Sequence, residues 1–233
     1  MSAIDRLLGW QRTFITYAWN GEVVSDAGTA HLRGSASIAS GLGREVLRLY
    51  DGDARVVDVP DFTSSRVFTF LALVRAPAGN GLRRIAERVN GGTEVSLSIS
   101  AEGKLQGVLA SARGNYRRVL TGTSNIADGR WHAVAIIGRG GFLNVTNLRI
   151  VVDGEVEATG TISPGLFGTS PDFRNGAPII VGRSADTANN LNGEVAAVAG
   201  VDSNWTDETF ATLASDMSGY GGRGFVGWGI PLS

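Results

Sequence analysis

Apolar residues along this chain fall in short alternating or unbroken runs separated by glycine and Asx residues, rather than in stripes of helical spacing. Such runs occupy Val46–Leu49, Val56–Val59, Val67–Val74, Val95–Ile99, Leu105–Leu109, Trp131–Ile137, Leu148–Val152, Ile179–Val181 and Val195–Val201. Short runs bounded by turn residues predict β-strands. About a dozen strands, with no long helical pattern to build parallel crossovers, predict an antiparallel sandwich. Two connections are specified locally. Asn20-Gly21 lies between Thr13–Trp19 and Glu22–Val24, and Asp153-Gly154 between Arg149–Val152 and Glu155–Glu157. Both residues of such pairs tolerate positive φ, which a type I′ hairpin turn requires.

The two ends read differently. Ile4, Leu7 and Leu8 stand at i, i+3 and i+4, which predicts one or two amphipathic helical turns, stable only when docked. Further on, Thr206 caps an expected helix whose first turn carries Asp207 and Glu208 and whose apolar stripe is Phe210, Leu213 and Met217. Residues 218–233 are glycine-rich with Tyr220, Phe225 and Trp228 embedded, a composition that docks rather than packs alone. The expected organisation is an N-terminal docking segment with a hairpin over 1–25, a sandwich over 26–217 and a glycine-aromatic tail over 218–233.

Composition narrows the function classes. The chain has 233 residues, 43% of them hydrophobic, enough for one large core, and its 33 glycines against 6 prolines suit frequent turns. Lysine plus arginine number 21 against 22 aspartate plus glutamate, so no net field gathers nucleic acid or an anionic membrane. The absence of cysteine removes disulfides, thiolate zinc sites and cysteine nucleophiles. Asp5, Arg6, Gln11 and Arg12 interrupt the first dozen residues, so no secretory signal is expected. Apolar runs fall well short of the roughly 20 residues that span a bilayer, and no membrane insertion is expected.

Four segments in order resemble the laminin-G-like branch of the concanavalin A-like lectin and glucanase superfamily. They are Leu47–Asp53 running on to Val57–Asp61, Phe68–Arg75, Asp128–Ala135 with Leu148–Glu155 after it, and Leu191–Val198. The resemblance covers roughly residues 26 to 215. It implies an all-β antiparallel jelly-roll sandwich with one short C-terminal helix. It also implies a range of functions: sugar binding, adhesion, glycan hydrolysis and virion structure.

The hydrolytic relatives present Glu-x-Asp-x-x-Glu from one strand, but no Glu-x-Asp occurs here, which argues against an enzyme. Glu155 and Glu157 share a face by period two but follow a hairpin, and read as a solvated edge. The histidines are His31 and His132, too few for a histidine-based triad or transition-metal site, and the resemblance makes Trp131-His132 a packing pair. It also implies that a calcium ion is a candidate cofactor at the sheet rim, with Asp186, Asn189 and Asn190 as ligands, although Asx residues are equally turn formers. Sugar recognition needs an aromatic platform beside directional polar groups, for which Tyr116, Arg117, Trp205, Asn189 and Asn190 are the candidates, while Trp131 holds a core-like position. Arg113, Arg117 and Arg118, with Arg83, Arg84 and Arg88, either meet an acidic glycan or protein partner or form a solvated face.

Two readings of function follow. One is a non-catalytic accessory structural and adhesion protein of a virus particle, a phage capsid decoration or minor tail protein. Its partners would be other virion proteins met through the termini, a cell-surface glycan and further copies of itself. The other is a free bacterial carbohydrate-binding module acting on polysaccharide, extracellular or at the cell surface.

Overall fold

The computed structural model describes residues 12–19, 21–25, 28–41, 44–61, 63, 67–112, 116–140, 146–162, 173–186 and 188–202. The expected helix over 206–217, Trp205, Arg113, the tail and the first eleven residues lie outside them.

The described chain alternates between two sheets. It starts in the first as β1 (Arg12–Trp19) and β2 (Glu22–Ser25), crosses to the second as β3 (Thr29–Gly34), and returns as β4 (Ser37–Gly41) and β5 (Arg44–Leu49). It crosses again as β6 (Gly52–Val57) and comes back as β7 (Val67–Arg75). The meander β8 (Arg83–Asn90), β9 (Thr93–Ile99), β10 (Lys104–Ser111) and β11 (Tyr116–Asn125) builds most of the second sheet. The meander β12 (Trp131–Gly140), β13 (Thr146–Val152) and β14 (Glu155–Ile162) extends the first, before β15 (Ile179–Val181) joins the second and β16 (Gly193–Asp202) the first. The result is a nine-stranded sheet, β14-β13-β12-β7-β16-β1-β2 with β5 on β16 and β4 on β5, facing a seven-stranded sheet, β11-β10-β9-β8-β15-β6-β3. Every pairing is antiparallel. The fold is the expected all-β sandwich, and no helix occurs among the described residues.

Period-two alternation places the core. Phe68, Phe70, Ala72 and Val74 of β7, Val134 and Ile136 of β12, and Leu148, Ile150 and Val152 of β13 meet Val95, Leu97 and Ile99 of β9 and Leu105 and Leu109 of β10 between the sheets. The alternate residues Leu71, Leu73, Ala133, Ala135 and Ile137 are buried as well, although they point away from that core. Burial on both faces makes Trp131–Ile137 read as a nearly continuous apolar run.

Both predicted hairpins form: Trp19 stands opposite Glu22 and Val152 opposite Glu155, with Asp153 at φ 48° and Gly154 at φ 92°. The first hairpin is part of the sheet, since β1 runs along the second half of β16 with Ile15 opposite Ala199. Glu157 departs from expectation. Its carboxylate accepts the amides of Thr123 at 2.9 Å and Ser124 at 3.2 Å, tying the edge strand of one sheet to that of the other.

Candidate functional site at the rim of the sandwich

Strand β8 determines what closes each end of the space between the sheets. Arg83 and Arg88 are an odd number of residues apart, and in a regular strand they would face opposite ways. A register shift between Arg84 and Ala86 puts both on the inner face, Arg83 opposite Ile99 and Arg88 opposite Val95. The expectation of a solvated arginine face is therefore wrong for these two: Arg83 is 5% exposed and Arg88 0%. At one end Arg88 donates to three carbonyls, Ala177 at 2.8 Å, Pro60 at 2.9 Å and Val59 at 2.8 Å, with Asp61 3.9 Å away. Burial pulls its pKa down, against the charge of Asp61.

At the other end Arg83 lies beside a cleft of about 440 Å³, lined by Pro77–Arg83 from one side and by Asn189, Asn190 and Asn192 from the other. Asn189 and Asn192 take left-handed backbone, φ 55° and 50°, which asparagine tolerates better than other side-chain-bearing residues. The Arg84 amide donates to the Asn189 carbonyl at 2.8 Å, tying the loop to β8, and the Leu191 amide donates to the Gly182 carbonyl at 2.7 Å, closing the loop on the residue after β15. Asn190 Nδ2 donates to Asp51 at 3.1 Å, while its Oδ1 is buried without a partner. Arg83 Nη1 donates to the Pro77 carbonyl at 2.6 Å, and burial pulls the guanidinium's pKa down. Sequence reasoning named the loop asparagines but missed Asn80, Asn192 and the Pro77–Leu82 turn. Local spacing holds no sign that these come together.

Asp186 belongs to a different part of the loop. Its Oδ1 accepts the Ser184 hydroxyl at 2.6 Å and the Ala188 amide at 3.1 Å, and these bonds hold its carboxyl below the usual range. Asn189 Nδ2 donates to the same Ser184 Oγ at 3.3 Å. Calcium needs six to eight oxygens. This loop supplies one carboxylate, already turned inward on its own backbone, and among the described residues no cluster of three His, Asp or Glu side chains is placed to hold a metal. Asp186 is engaged with its own turn, and the amide groups of Asn189 and Asn190 with Ser184 and Asp51.

Tyr116 and Arg117 line a second cleft, of about 460 Å³, with Val89, Glu94 and Ala110. Val89 lies at the far end of β8 from Arg83, about 20 Å away at strand rise. The candidate ligand residues Tyr116 and Arg117 therefore do not share a site with Asn189 and Asn190. Between the two clefts, on the outer face of the seven-stranded sheet, Arg84 Nε lies 2.8 Å from Glu87 and its Nη1 3.2 Å from Glu94, with Ser98 Oγ at 2.9 Å. Arg117 reaches Glu94 at 3.8 Å. Burial pushes the Glu87 carboxyl up, against the pull of Arg84 and of the Ala185 amide 2.6 Å away. Arg84 is the hub of this ion-paired network, which holds its charges for one another.

Trp131 is half-buried rather than in the core, with the Arg75 guanidinium 5.5 Å from its ring centre. His132 bridges two carboxylates, Nδ1 to Asp153 at 2.7 Å and Nε2 to Asp128 at 3.0 Å. Burial lowers the imidazole's pKa, but the hydrogen bonds and charges of Asp153 and Asp128 outweigh it and hold the pKa above the ordinary value.

A family model described as the Concanavalin A-like lectin/glucanases superfamily matches residues 51–209. No curated protein matches the chain. Among solved structures, the chain is similar to the binding domain of Paraclostridial Mosquitocidal Protein 1, at 13% identity and a TM-score of 0.68 over 91% of this chain and 52% of that one. It is similar to the binding domain of botulinum neurotoxin DC in complex with SialylT, at 13% identity and a TM-score of 0.66 over 93% and 52%. A third similar structure concerns botulinum neurotoxin type C, whose cell entry depends on interaction with two ganglioside molecules, at 14% identity and a TM-score of 0.65 over 89% and 51%. At these identities the likeness is one of fold, and this chain spans about half the length of the chains it matches.

Proposed function

This chain belongs to the concanavalin A-like lectin/glucanases superfamily, and from that premise we propose that it is a non-catalytic carbohydrate-binding module whose ligand sits in the rim cleft. The observation that carries this reading is the lining of the cleft: Asn80, Asn189, Asn190 and Asn192 beside Pro77 and Leu82. A side-chain amide both donates and accepts, as a sugar hydroxyl does, and the apolar pair suits the C–H face of a pyranose ring. No carboxylate is among the described lining residues, so the cleft has no acid and base to flank a glycosidic bond. The fold likeness to toxin binding domains, one in complex with SialylT and one from a toxin that interacts with gangliosides, supports a saccharide as the ligand class.

The setting we propose is the outside of a virus particle, as a capsid decoration or minor tail protein that presents the cleft to a cell-surface glycan. The apolar residues Ile4, Leu7 and Leu8 and the aromatic residues of 218–233 support docking of the chain ends on neighbouring virion proteins. A glycan array probed with the full chain tests the binding reading: retention of a defined saccharide class, weakened about tenfold or more by Asn192→Ala, is expected. An array silent for the wild-type chain would remove it. Deleting residues 1–11 or 218–233 tests the setting, with loss of particle incorporation expected. Incorporation unchanged by both deletions would argue for a free polysaccharide-binding module instead.

A further inference from the structure

Resting on that reading of the cleft, we infer that the bound saccharide carries a carboxylate, as a uronic or sialic acid does, and that the Nε–Nη2 edge of Arg83 receives it. The two arginines at the ends of β8 make the argument. Arg88 spends its donors on three main-chain carbonyls, as a buried guanidinium must. Arg83, also buried though less completely, makes one such bond, from Nη1 to Pro77, while Nε and Nη2 are buried with no partner. Those two nitrogens form one edge of the planar group, a pair of parallel N–H donors spaced to meet both oxygens of a carboxylate. The neighbouring Asn190 Oδ1 is likewise buried and unpartnered, an acceptor for a hydroxyl of the same sugar.

The way in is the turn over 77–82. A methyl group built on Gly79 would stand 3.3 Å from Arg83 Nη1 and 3.4 Å from its Cζ, so the glycine backbone lies directly on the guanidinium. The turn is exposed from Pro77 to Gly81, and it is from this side of the cleft that a ligand would approach the guanidinium. Asn80 and Asn192 line the same cleft and are the partners assigned to the sugar's other hydroxyls.

The test is isothermal titration of the full chain with two acidic probes, a sialylated lactose and a glucuronate-ended oligosaccharide, each against its carboxyl-reduced neutral counterpart. The expected result is that at least one acidic probe binds about tenfold or more tighter than its neutral partner. Arg83→Gln is expected to abolish the difference, and Arg83→Lys, which keeps the charge without the fork, to keep only part of it. Melting curves check that both variants fold. In the wild-type chain the Arg83 Nε–H resonance is expected to shift with the acidic probe and stay still with the neutral one, a readout independent of any variant. Equal binding of acidic and neutral probes, or an acid preference that survives Arg83→Gln, would overturn the assignment and leave the saccharide reading standing. A chain that binds no probe here and no glycan on the array would overturn both.

Discussion

His132 stands between carboxylates from two separate turns, Asp128 ahead of β12 and Asp153 in the β13–β14 hairpin, and Asp153 also accepts the Ala133 amide at 2.8 Å. The imidazole's pKa is raised by folding, so its contribution is fully present below the unfolded value of about 6.5 and is lost as pH rises through the folded value. Asp128 is the reverse case. Burial raises its pKa, but the bonds from His132 and the Arg130 amide outweigh this and depress it, so its share is lost as pH falls through its folded value. The melting gap between wild type and His132→Gln is therefore expected to be widest in mildly acid buffer, to close toward alkaline pH, and to narrow again in strong acid. Melting curves across that range check it; a gap independent of pH would show that the bridge carries no charge. A second residue-scale effect is steric. A Cβ on Gly138 would lie 2.2 Å from Phe68 Cε1, so Gly138→Ala is expected to cost about 1–3 kcal/mol by overpacking. Denaturant unfolding should show Phe68→Leu recovering part of that loss in the double variant.

At the scale of elements, the sandwich is closed by groups that the alternation pattern alone does not mark. Glu157 has the period-two position of a solvent-facing residue, yet β14 and β11 are edge strands of opposing sheets and its carboxylate joins them. Gly122 makes the approach possible, since a Cβ there would lie 2.3 Å from Glu157 Oε2. Glu157→Gln is expected to cost about 1–2 kcal/mol and to speed hydrogen exchange at the amides of Thr123 and Ser124. Unchanged exchange there would show that the tie is not held in solution. The bulge in β8 has the larger consequence. Arg83, Arg84 and Arg88 read along the sequence as one basic face, but the register shift sends Arg83 and Arg88 inward and leaves Arg84 outside among Glu87, Glu94 and Ser98. A bulge of this kind depends on the strands either side, so nothing in the arginine spacing announces it.

For the whole molecule, Asp186 is the single carboxylate residue in the sequence over 183–190 and is bonded to its own turn, so neither calcium nor a chelator is expected to move the melting temperature by more than about 1 °C. A rise on adding calcium would show that the loop rearranges into a cage. The strands and the turns between them were legible in the chain itself, because they are local matters. Side chains alternate with period two, and Asp153-Gly154 accepts positive φ wherever it occurs. The sandwich was legible as well, through the order of those runs and their resemblance to a known family. The candidate site was half legible: Asn189 and Asn190 stand out as loop asparagines, but their companions do not. Asn80 and Arg83 come to them because β16 pairs with β7, Glu194 opposite Arg75, which brings the start of one loop against the end of another far along the chain. Local chemistry determined where the backbone extends and where it turns. Only long-range pairing decided which turns meet, because the partner of a strand is chosen by the burial of a whole face and not by any residue within reach along the sequence.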